Sequence, residues 1–337
     1  MLKEEAQRYF KQLFCSSLQQ TYNVPTSDGL HVPKLSEEAT RILTQVVTRE
    51  EVTKALNRMH AYKSPGPDGF QCIFFKQYWH IVGEDVTTLV TQAFATGTFD
   101  PVIAETFIAL IPKVDCPQSF KEFRPISLCN TIYKLITKVL VNRLRSFLDQ
   151  IVGSYQSSFL LGRGTMDNAI ILQEVIHLMH KSKKKMGDVV YKIDLEKAYD
   201  HVSWTFLRSC LQNFGFPAIT IDLIMHCVTA SSLSLIWNGT RLPAFTPTRG
   251  LHQEDPLSPY LFVICMEFLS HDILKAVELN NWKPVSISRN GPTLSHLFLV
   301  DDVLLFTKDT RSQAIMVEGI LTNFANMSGL KVNITKS

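Results

Sequence analysis

The segment from His296 to Phe306 constrains the fold most strongly. It reads H-L-F-L-V-D-D-V-L-L-F, with two aspartates between two short apolar runs. Apolar runs separated by a two-residue polar interruption are typical of a buried β-hairpin whose tight turn carries the polar residues. Asp301 and Asp302 would then lie at the tip of that hairpin. Two carboxylates this close in a partly dry site repel each other strongly, unless one is protonated or a cation lies between them.

Carboxylate oxygens are hard ligands that suit Mg²⁺ bridging to substrate phosphates, so the segment predicts a metal site. Aspartate is also a common turn former, and an Asp-Asp pair alone is more often only a polar turn. The metal interpretation therefore depends on other parts of the chain that point to the same chemistry.

The composition is that of an ordinary folded protein, large enough for two or three sub-domains. Of its 337 residues, 45% are hydrophobic and 19% are charged, which is no signature of disorder. With 34 basic and 31 acidic residues the net charge is only +3, so a nucleic-acid surface has to come from local clusters. The densest cluster is K-S-K-K-K at 181–185, which by default is a solvated loop.

Seven cysteines are scattered without a C-x-x-C pair or a paired Cys/His spacing. This pattern argues against a zinc site or a disulfide framework and favours an intracellular, reducing compartment. No run approaches the length of a membrane span, and no secretory signal is visible. The sequence therefore predicts neither secretion nor membrane insertion.

Hydrophobic periodicity predicts a mixed α+β chain. Helices are expected over 2–20, 48–60, 71–95, 131–151, 166–180, 204–214, 258–278 and 311–327. In the helix over 131–151, the positions outside the inward apolar set include Lys134, Lys138, Arg143 and Arg145. Strands are expected over 106–111, 123–128 and 189–194, and at the end of the chain.

Polar residues at the ends of predicted strands could act on a phosphorylated substrate. Asp194 ends one strand, at a position where metal ligands are common. Lys113 and Arg124 lie on neighbouring elements, where they could grip a polyphosphate as a point charge and a planar fork. Two solvated surface charges are an equally good interpretation of that segment alone.

Six sequence blocks, in order, resemble the reverse transcriptases of non-LTR (LINE-type) retrotransposons, and most of all the plant copies. The blocks are K-S-P-G-P-D-G-F (63–70), F-R-P-I-S-L-C-N (123–130), I-D-L-E-K-A-Y-D (193–200), D-P-L-S-P-Y-L-F (255–262), V-D-D (300–302) and G-L-K-V-N-I-T-K-S (329–337). The resemblance covers nearly the whole chain, and six blocks in this order are highly specific.

The resemblance implies a right-hand polymerase architecture of fingers and palm, with an antiparallel palm sheet backed by helices and the thumb largely absent. It divides the chain into an N-terminal helical extension (1–60), fingers with fingers–palm helices (61–185) and a palm with the catalytic carboxylates (186–337). The chain would be a fragment of a longer protein that supplies the missing thumb or endonuclease domains. A nuclear location is implied by the resemblance alone.

By the same resemblance, the chain would be an RNA-directed DNA polymerase that extends a DNA primer on an RNA template with deoxynucleoside triphosphates. Asp194, Asp301 and Asp302 would hold two Mg²⁺ ions, with Mn²⁺ as an alternative. These ions would activate the primer 3′ hydroxyl and stabilise the leaving pyrophosphate. Lys113 and Arg124 would bind the triphosphate.

Three further residues take roles from the resemblance. Tyr199 would lie under the sugar and reject a 2′-hydroxyl, although it could also be a core aromatic. Gln253 would lie beside the nucleotide and the template. Lys336 is a candidate general acid for the pyrophosphate.

The chain departs from the family pattern near these residues. His252 and Glu254 stand where the family has Arg and Gly. A carboxylate at 254 near a triphosphate could cost up to about 4 kcal/mol per charge pair at roughly 4 Å, and loss of a permissive glycine backbone adds to this. The further departures are Leu161, His201, Leu299 and Val300. These changes are typical of a decaying copy, so present activity stays open.

Three hypotheses therefore remain. The first is an RNA-directed DNA polymerase domain, and the second is a catalytically inactive module that still binds nucleic acid. Salt-dependent binding without synthesis would indicate the second. The third is a maturase-like splicing factor on the same palm, for which no appended RNA-binding domain is visible.

Overall fold

The computed structural model describes residues 2–15, 32–181, 187–287, 291–299 and 302–337, and the predicted α+β class is confirmed. The helices are α1 (Leu2–Phe14), α2 (Glu37–Thr44), α3 (Arg49–Asn57), α4 (Cys72–Gln77), α5 (Trp79–Thr96), α6 (Thr131–Leu144), α7 (Thr165–Lys181), α8 (Ala198–His201), α9 (Trp204–Asn213), α10 (Ala218–Thr229), α11 (Ser258–Glu278) and α12 (Arg311–Ser328). The strands are β1 (Thr106–Pro112), β2 (Phe123–Cys129), β3 (Asp188–Glu196), β4 (Leu233–Trp237), β5 (Thr240–Arg241), β6 (Val285–Ser286), β7 (Thr293–Leu294), β8 (His296–Leu299), β9 (Asp302–Lys308) and β10 (Lys331–Val332).

Strands β10, β3, β9 and β8 form, in that order, an antiparallel sheet that we call the central sheet. Side chains of β3 alternate between the two faces, as the strand period of two requires. Ile193 and Leu195 join the main hydrophobic core on one face, and Asp194 projects from the other. Helices α9, α11 and α12 cover the apolar face with buried side chains that include Phe206 and Phe268.

The hairpin predicted for residues 296–306 is present, because β8 and β9 pair antiparallel with Leu299 opposite Asp302. Asp301 and its neighbour at position 300 lie outside the described residues, so the place of Asp301 at the tip stays a prediction. The free edge of β8 is covered by the loop after α6, where the N–H of Phe298 donates to the carbonyl oxygen of Tyr155 at 2.9 Å. This contact satisfies backbone groups that an open edge strand would leave unpaired.

A second sheet, the outer sheet, has the strand order β2-β1-β4-β5. Strands β1 and β2 form the two predicted strands, paired antiparallel with Ile111 opposite Arg124. Strand β4, which has no counterpart in the sequence prediction, pairs in parallel with β1. Helix α1 packs on this sheet through Phe10 and Phe14, in a small core separate from the main one.

Several helices differ from the prediction. The helix expected over 71–95 is interrupted at Tyr78, whose backbone angles (φ −101°, ψ 20°) are not helical, and this gives α4 and α5. The helix expected over 131–151 ends at Leu144, and α10 has no counterpart in the prediction. Lys134 and Arg143 of α6, expected outside the inward set, are buried because each finds an acceptor inside the protein.

The buried Arg143 joins α6 to α3. Its Nε and Nη2 donate to the two carboxylate oxygens of Glu51 at 2.7 and 2.8 Å. Thr48 is the N-cap of α3, as predicted, and its hydroxyl oxygen accepts the N–H of Glu51. A bidentate pair between a guanidinium and a carboxylate is geometrically specific, so it sets how the two helices pack.

None of the helices in the described part of the chain is both long and apolar enough to cross a membrane. All seven cysteines are free, and five of them are buried. The buried thiols therefore act as small apolar core residues.

A buried carboxyl group lies beside the loop that covers β8. Glu267 of α11 is 2% exposed, and its Oε1 accepts the N–H of Gly153 at 3.1 Å. Arg163 fastens the same loop by donating to three of its backbone carbonyl oxygens. Burial raises the pKa of Glu267 to about 7, although hydrogen bonds and the charge of Arg163 act in the opposite direction.

Replacing Glu267 with glutamine should remove a pH dependence of stability. The unfolded carboxyl ionises near pH 4.5, whereas the folded one keeps its proton up to about pH 7. The folded state then binds more protons, so the free energy of unfolding falls as the pH rises through this window. The fall is about 3 kcal/mol for a difference of this size.

Urea unfolding at several pH values measures this effect, because Glu267→Gln keeps an acceptor for Gly153. The variant should gain stability relative to the unchanged chain as the pH rises. Glu278→Gln, at an exposed position of the same helix, is the control. Parallel pH profiles for Glu267→Gln and the unchanged chain would contradict the prediction.

Candidate active site

Asp194 on β3 and Asp302 at the start of β9 lie directly opposite each other in the central sheet. Opposite residues of an antiparallel pair project to the same face, with Cβ atoms about 4.5–5.5 Å apart. Both side chains are half-buried, on the face turned away from the main core. The structure therefore brings together two of the three carboxylates predicted as metal ligands, while Asp301 lies outside the described residues.

Two side chains offset the repulsion between these carboxylates. Lys192, on the same face of β3, has its Nζ 3.3 Å from Oδ1 of Asp302. Nδ2 of Asn333 donates to Oδ2 of Asp194 at 2.9 Å, and the hydroxyl of Thr335 donates to Oδ1 of Asn333 at 2.7 Å, which orients the amide. Like charges directly opposite in a sheet are destabilising, so both contacts stabilise this face.

The donor set on this face suits a hard divalent cation, because carboxylate oxygens are the ligands that Mg²⁺ prefers. Within the described ranges, which exclude Asp301, no group of three or more His, Cys, Asp or Glu side chains is arranged to hold a metal. A metal site built on Asp194 and Asp302 therefore needs Asp301, or oxygens of a substrate, as further ligands.

Near α8, the charges of Lys197, Arg124 and Lys336 all act on Lys113, and we call these four residues the cationic cluster. Partial desolvation lowers the pKa of Lys113, and the charges of Lys197, Arg124 and Lys336 lower it further, whereas Asp200 raises it. Three of these cations were predicted as substrate-binding or catalytic residues. Because like charges gathered in this way repel one another, the cluster favours the binding of an anion.

The sequence pattern predicts no role for Lys197, and only the fold brings it into the cluster. It follows β3 in a left-handed conformation with φ 44°, which turns the chain into α8. Its Nζ donates to the hydroxyl of Tyr9 at 2.9 Å and lies 4.8 Å from the centre of that ring. The signal in the sequence was its place in I-D-L-E-K-A-Y-D. Through this contact α1 touches the candidate site directly.

The structure places Tyr199 and Gln253 near the turn that follows Asp194. Tyr199 is half-buried and stacks on Phe262 at a ring-centroid distance of 4.9 Å. One side of its ring therefore packs as a core aromatic would. Nε2 of Gln253 donates to Oδ1 of Asp200 at 2.9 Å. Asp200 is fully buried, and burial raises its pKa to about 6 although the hydrogen bond from Gln253 lowers it. Gln253 is thus tied to α8.

Two glycines hold α8 by close backbone approach. A Cβ atom at Gly250 would lie 2.8 Å from the carbonyl oxygen of Asp200, and one at Gly329 would lie 2.7 Å from that of His201. The φ angles of the two glycines are also positive, at 92° and 77°. A side chain at either position would therefore combine a strained backbone with a clash, so only glycine fits.

Glu254, at the position where the resemblance predicts a glycine, adopts the left-handed conformation with φ 77°. Glycine has this conformation at little cost, whereas other L-residues pay roughly 1–2 kcal/mol for it. Oε2 of Glu254 lies 3.4 Å from Nζ of Lys63, and both side chains are about half exposed. The structure thus agrees with the backbone cost predicted for this position, and it adds an ionic contact that the sequence did not predict.

Two of the departing residues, His201 and His252, are buried. Burial lowers the pKa of each imidazole to about 4, with nearby cations adding to the effect at His201, so both rings are neutral near pH 7. In the part of the chain that the structure describes, Nδ1 of His201 and Nε2 of His252 have no hydrogen-bond partner. The two positions at which the resemblance predicts an arginine therefore contribute no positive charge here.

Facing carboxylates beside a cluster of cations are typical of proteins that act on phosphate esters with a divalent metal. The family model described as "Reverse transcriptase (RNA-dependent DNA polymerase)" matches residues 111–337, about two thirds of the chain. The chain therefore belongs to the reverse transcriptase family, and its ancestry is that of RNA-directed DNA polymerases.

Relatives from retrotransposons confirm the resemblance to the non-LTR group. The chain is 30% identical to the transposon TX1 uncharacterized 149 kDa protein of Xenopus laevis, over 71% of the chain and 18% of that protein. It is 25% identical to the Pol polyprotein of the type-2 retrotransposable element R2DM of Drosophila melanogaster, over 93% of the chain and 28% of that protein. It is 24% identical to an R2 Pol polyprotein of Popillia japonica, over 68% of the chain and 31% of that protein. The chain thus spans less than a third of the length of these relatives.

Alanine at Gly250 should destabilise the chain more than alanine at Gly239. Both glycines have positive φ angles, but a Cβ at Gly239 would meet nothing within 4 Å. Gly239→Ala should cost roughly 1–2 kcal/mol for the backbone conformation alone. Gly250→Ala adds the clash with Asp200 and should cost about 3–4 kcal/mol in total. Urea unfolding followed by tryptophan fluorescence measures both, and equal losses would show that the contact between Gly250 and α8 does not matter.

Proposed function

We propose that this chain is the fingers and palm part of a polymerase that copies an RNA template into DNA, adding deoxynucleotides to a primer 3′ hydroxyl. The observation that carries the proposal is the facing pair of Asp194 and Asp302 on the open face of the central sheet. Residues 1–60 would be an N-terminal extension, 61–185 the fingers and 186–337 the palm. The antiparallel central sheet, backed by α9, α11 and α12, supports the assignment of the palm.

The cationic cluster would bind the triphosphate of the incoming nucleotide. Lys113 supplies a point charge, and Arg124 supplies a planar fork that suits two phosphate oxygens. Lys197 adds a third cation from the turn that follows Asp194 and Glu196. Partial desolvation and then repulsion from its neighbours lower the pKa of Lys113, and binding of a polyanion would relieve the repulsion, so this association is electrostatically favourable.

Asp194, Asp301 and Asp302 would hold two Mg²⁺ ions, or Mn²⁺ in their place. When bound, these ions would supply the positive charge that activates the primer hydroxyl and stabilises the pyrophosphate. Lys336 belongs to the cationic cluster, where its ammonium could donate a proton to the leaving pyrophosphate.

Two side chains near α8 would select and position the nucleotide. Tyr199, whose ring is held against Phe262, would lie under the sugar and discriminate against a 2′-hydroxyl. Gln253, held by Asp200, would lie beside the nucleotide and the template. RNA template, DNA primer and deoxynucleotides are the partners of this proposal, and a nuclear location stays a prediction from the resemblance.

A second function is favoured by Glu254. Glu254 has a left-handed conformation although it is not glycine, and it places a negative charge next to Gln253. This charge opposes the binding of a triphosphate. The chain would then be a remnant that binds nucleic acid without synthesis. The two functions predict the same fold and differ only in catalysis.

Extension of a DNA primer on an RNA template, with Mg²⁺ or Mn²⁺, separates these functions. A polymerase should lose at least about 100-fold in rate, or about 2.7 kcal/mol, when Asp301 and Asp302 are both changed to alanine. Asp222→Asn, which removes an exposed carboxylate paired with Arg208, is the matched control. Synthesis that survives the double substitution would refute the proposal, whereas synthesis only after Glu254→Gly would identify a decayed polymerase.

Asn333 should tune the affinity of this site for metal. Its amide donates to Asp194 and is oriented by Thr335, and loss of such a supporting hydrogen bond typically weakens metal binding about 10- to 100-fold. Titration of Mn²⁺, followed by electron paramagnetic resonance, should show this loss for Asn333→Ala and a smaller one for Thr335→Val. Ile334→Ala, at a side chain that is 85% exposed, is the control. Unchanged Mn²⁺ affinity in Asn333→Ala would exclude this role.

A further inference from the structure

A second positively charged surface lies along α6, and we call its members Arg58, Lys63, Lys138 and Arg145 the α6 strip. Lys138 and Arg145 are seven positions apart, two helical turns, so they share one side of the helix axis. Arg58 is the C-cap of α3, which packs against α6, and Lys63 begins the loop that leads to α4. The α6 strip has no member in common with the cationic cluster.

The other three members of the α6 strip act on Lys138. Partial burial lowers the pKa of Lys138, and the charges of Arg145, Arg58 and Lys63 lower it further. Nε of Arg145 is buried and, among the described residues, has no hydrogen-bond partner. The repulsion between Lys138 and these three cations carries an electrostatic cost, which the binding of a polyanion would relieve.

The loop that carries Lys63 is held firmly against α6. Nζ of the buried Lys134, one turn before Lys138, donates to the carbonyl oxygen of Ser64 at 3.3 Å. The hydroxyl of Thr131 donates to the carbonyl oxygen of Phe70 at 2.8 Å, at the other end of the loop. The position of Lys63 relative to α6 is therefore set by the fold.

Exposed aromatic rings accompany these cations. Tyr62, next to Lys63, is 77% exposed. Phe70, at the end of the same loop, is 46% exposed, although its ring also packs against that of Phe74 at a centroid distance of 4.6 Å. Cations that follow a backbone, together with aromatic rings on which bases stack, are the usual features of a surface that binds single-stranded nucleic acid. The chemistry of this surface therefore points to a polynucleotide rather than to a small anion.

We propose that the α6 strip binds the phosphates of a single-stranded polynucleotide, and that Glu254 weakens this binding by neutralising Lys63. The inference rests on the proposed function, which supplies the polynucleotide as the ligand. The effect of Glu254 is inferred from the contact of 3.4 Å between its Oε2 and Nζ of Lys63. Because both side chains are half exposed, salt screens the effect of this pair.

A double-mutant cycle on Lys63 and Glu254 tests the proposal. The probe is fluorescein-labelled oligouridylate, and its binding is measured by fluorescence anisotropy at several NaCl concentrations without metal or nucleotide. Glu254→Gln, which removes the charge and keeps the side-chain size, should tighten binding about threefold. The same substitution should have no effect in a Lys63→Gln background, where there is no charge left to neutralise.

Single substitutions define the rest of the strip. Lys138→Gln and Arg58→Gln should each weaken binding and reduce the salt slope by about 0.7, as expected when one phosphate contact of a single strand is lost. Asp222→Asn and Arg208→Gln break an exposed ion pair between α9 and α10 and serve as charge-matched controls. Thermal unfolding of each variant verifies that it is folded.

Two results would overturn the inference. One is a gain in oligouridylate affinity for Asp222→Asn equal to the gain for Glu254→Gln, because such a gain would reflect net charge alone. The other is an unchanged salt slope in Lys138→Gln and Arg58→Gln. The assay contains neither nucleotide nor metal, so a chain that fails in primer extension still reports on the α6 strip, and the two proposals fail separately.

Discussion

The pairing register between β3 and β9 is the constraint on which the candidate site depends. It places Asp194 opposite Asp302 and, on the other face, Ile193 opposite Val303 in the main core. A slip of one residue would turn the carboxylates towards the helices and the apolar side chains towards water. Burial of the apolar face therefore stabilises a register that, on the open face, holds two negative charges side by side.

Segments far apart in the chain converge on the turn that follows Asp194. Gly250 and Gly329 approach α8 so closely that no side chain fits, and Tyr9 of α1 contacts Lys197. Asn333 returns to the carboxylate of Asp194 itself. The turn has few residues of its own, so its conformation depends on these distant contacts. The position of the Asp194 carboxylate therefore depends on them as well.

Much of the fold was predictable because its signals are local. The apolar runs around Asp302 indicate the hairpin, and Thr48 marks the start of α3 as its N-cap. The predictions fail where long-range contacts decide. Arg143 looks like a surface residue in the sequence, yet it is buried because Glu51 supplies a bidentate partner. Strand β4 escapes local patterns because its partner β1 is more than a hundred positions away.

The sequence by itself determined the family, since six ordered blocks carry it, and the residue types available for chemistry. It also indicated that Glu254 stands at a glycine position. Only the tertiary structure decided which charges meet: Lys197 with the cationic cluster, Asn333 with Asp194, and Lys63 with Glu254. The physical reason is that Coulomb interactions and hydrogen bonds depend on distances between atoms, and distances between residues remote in sequence exist only once the chain has packed.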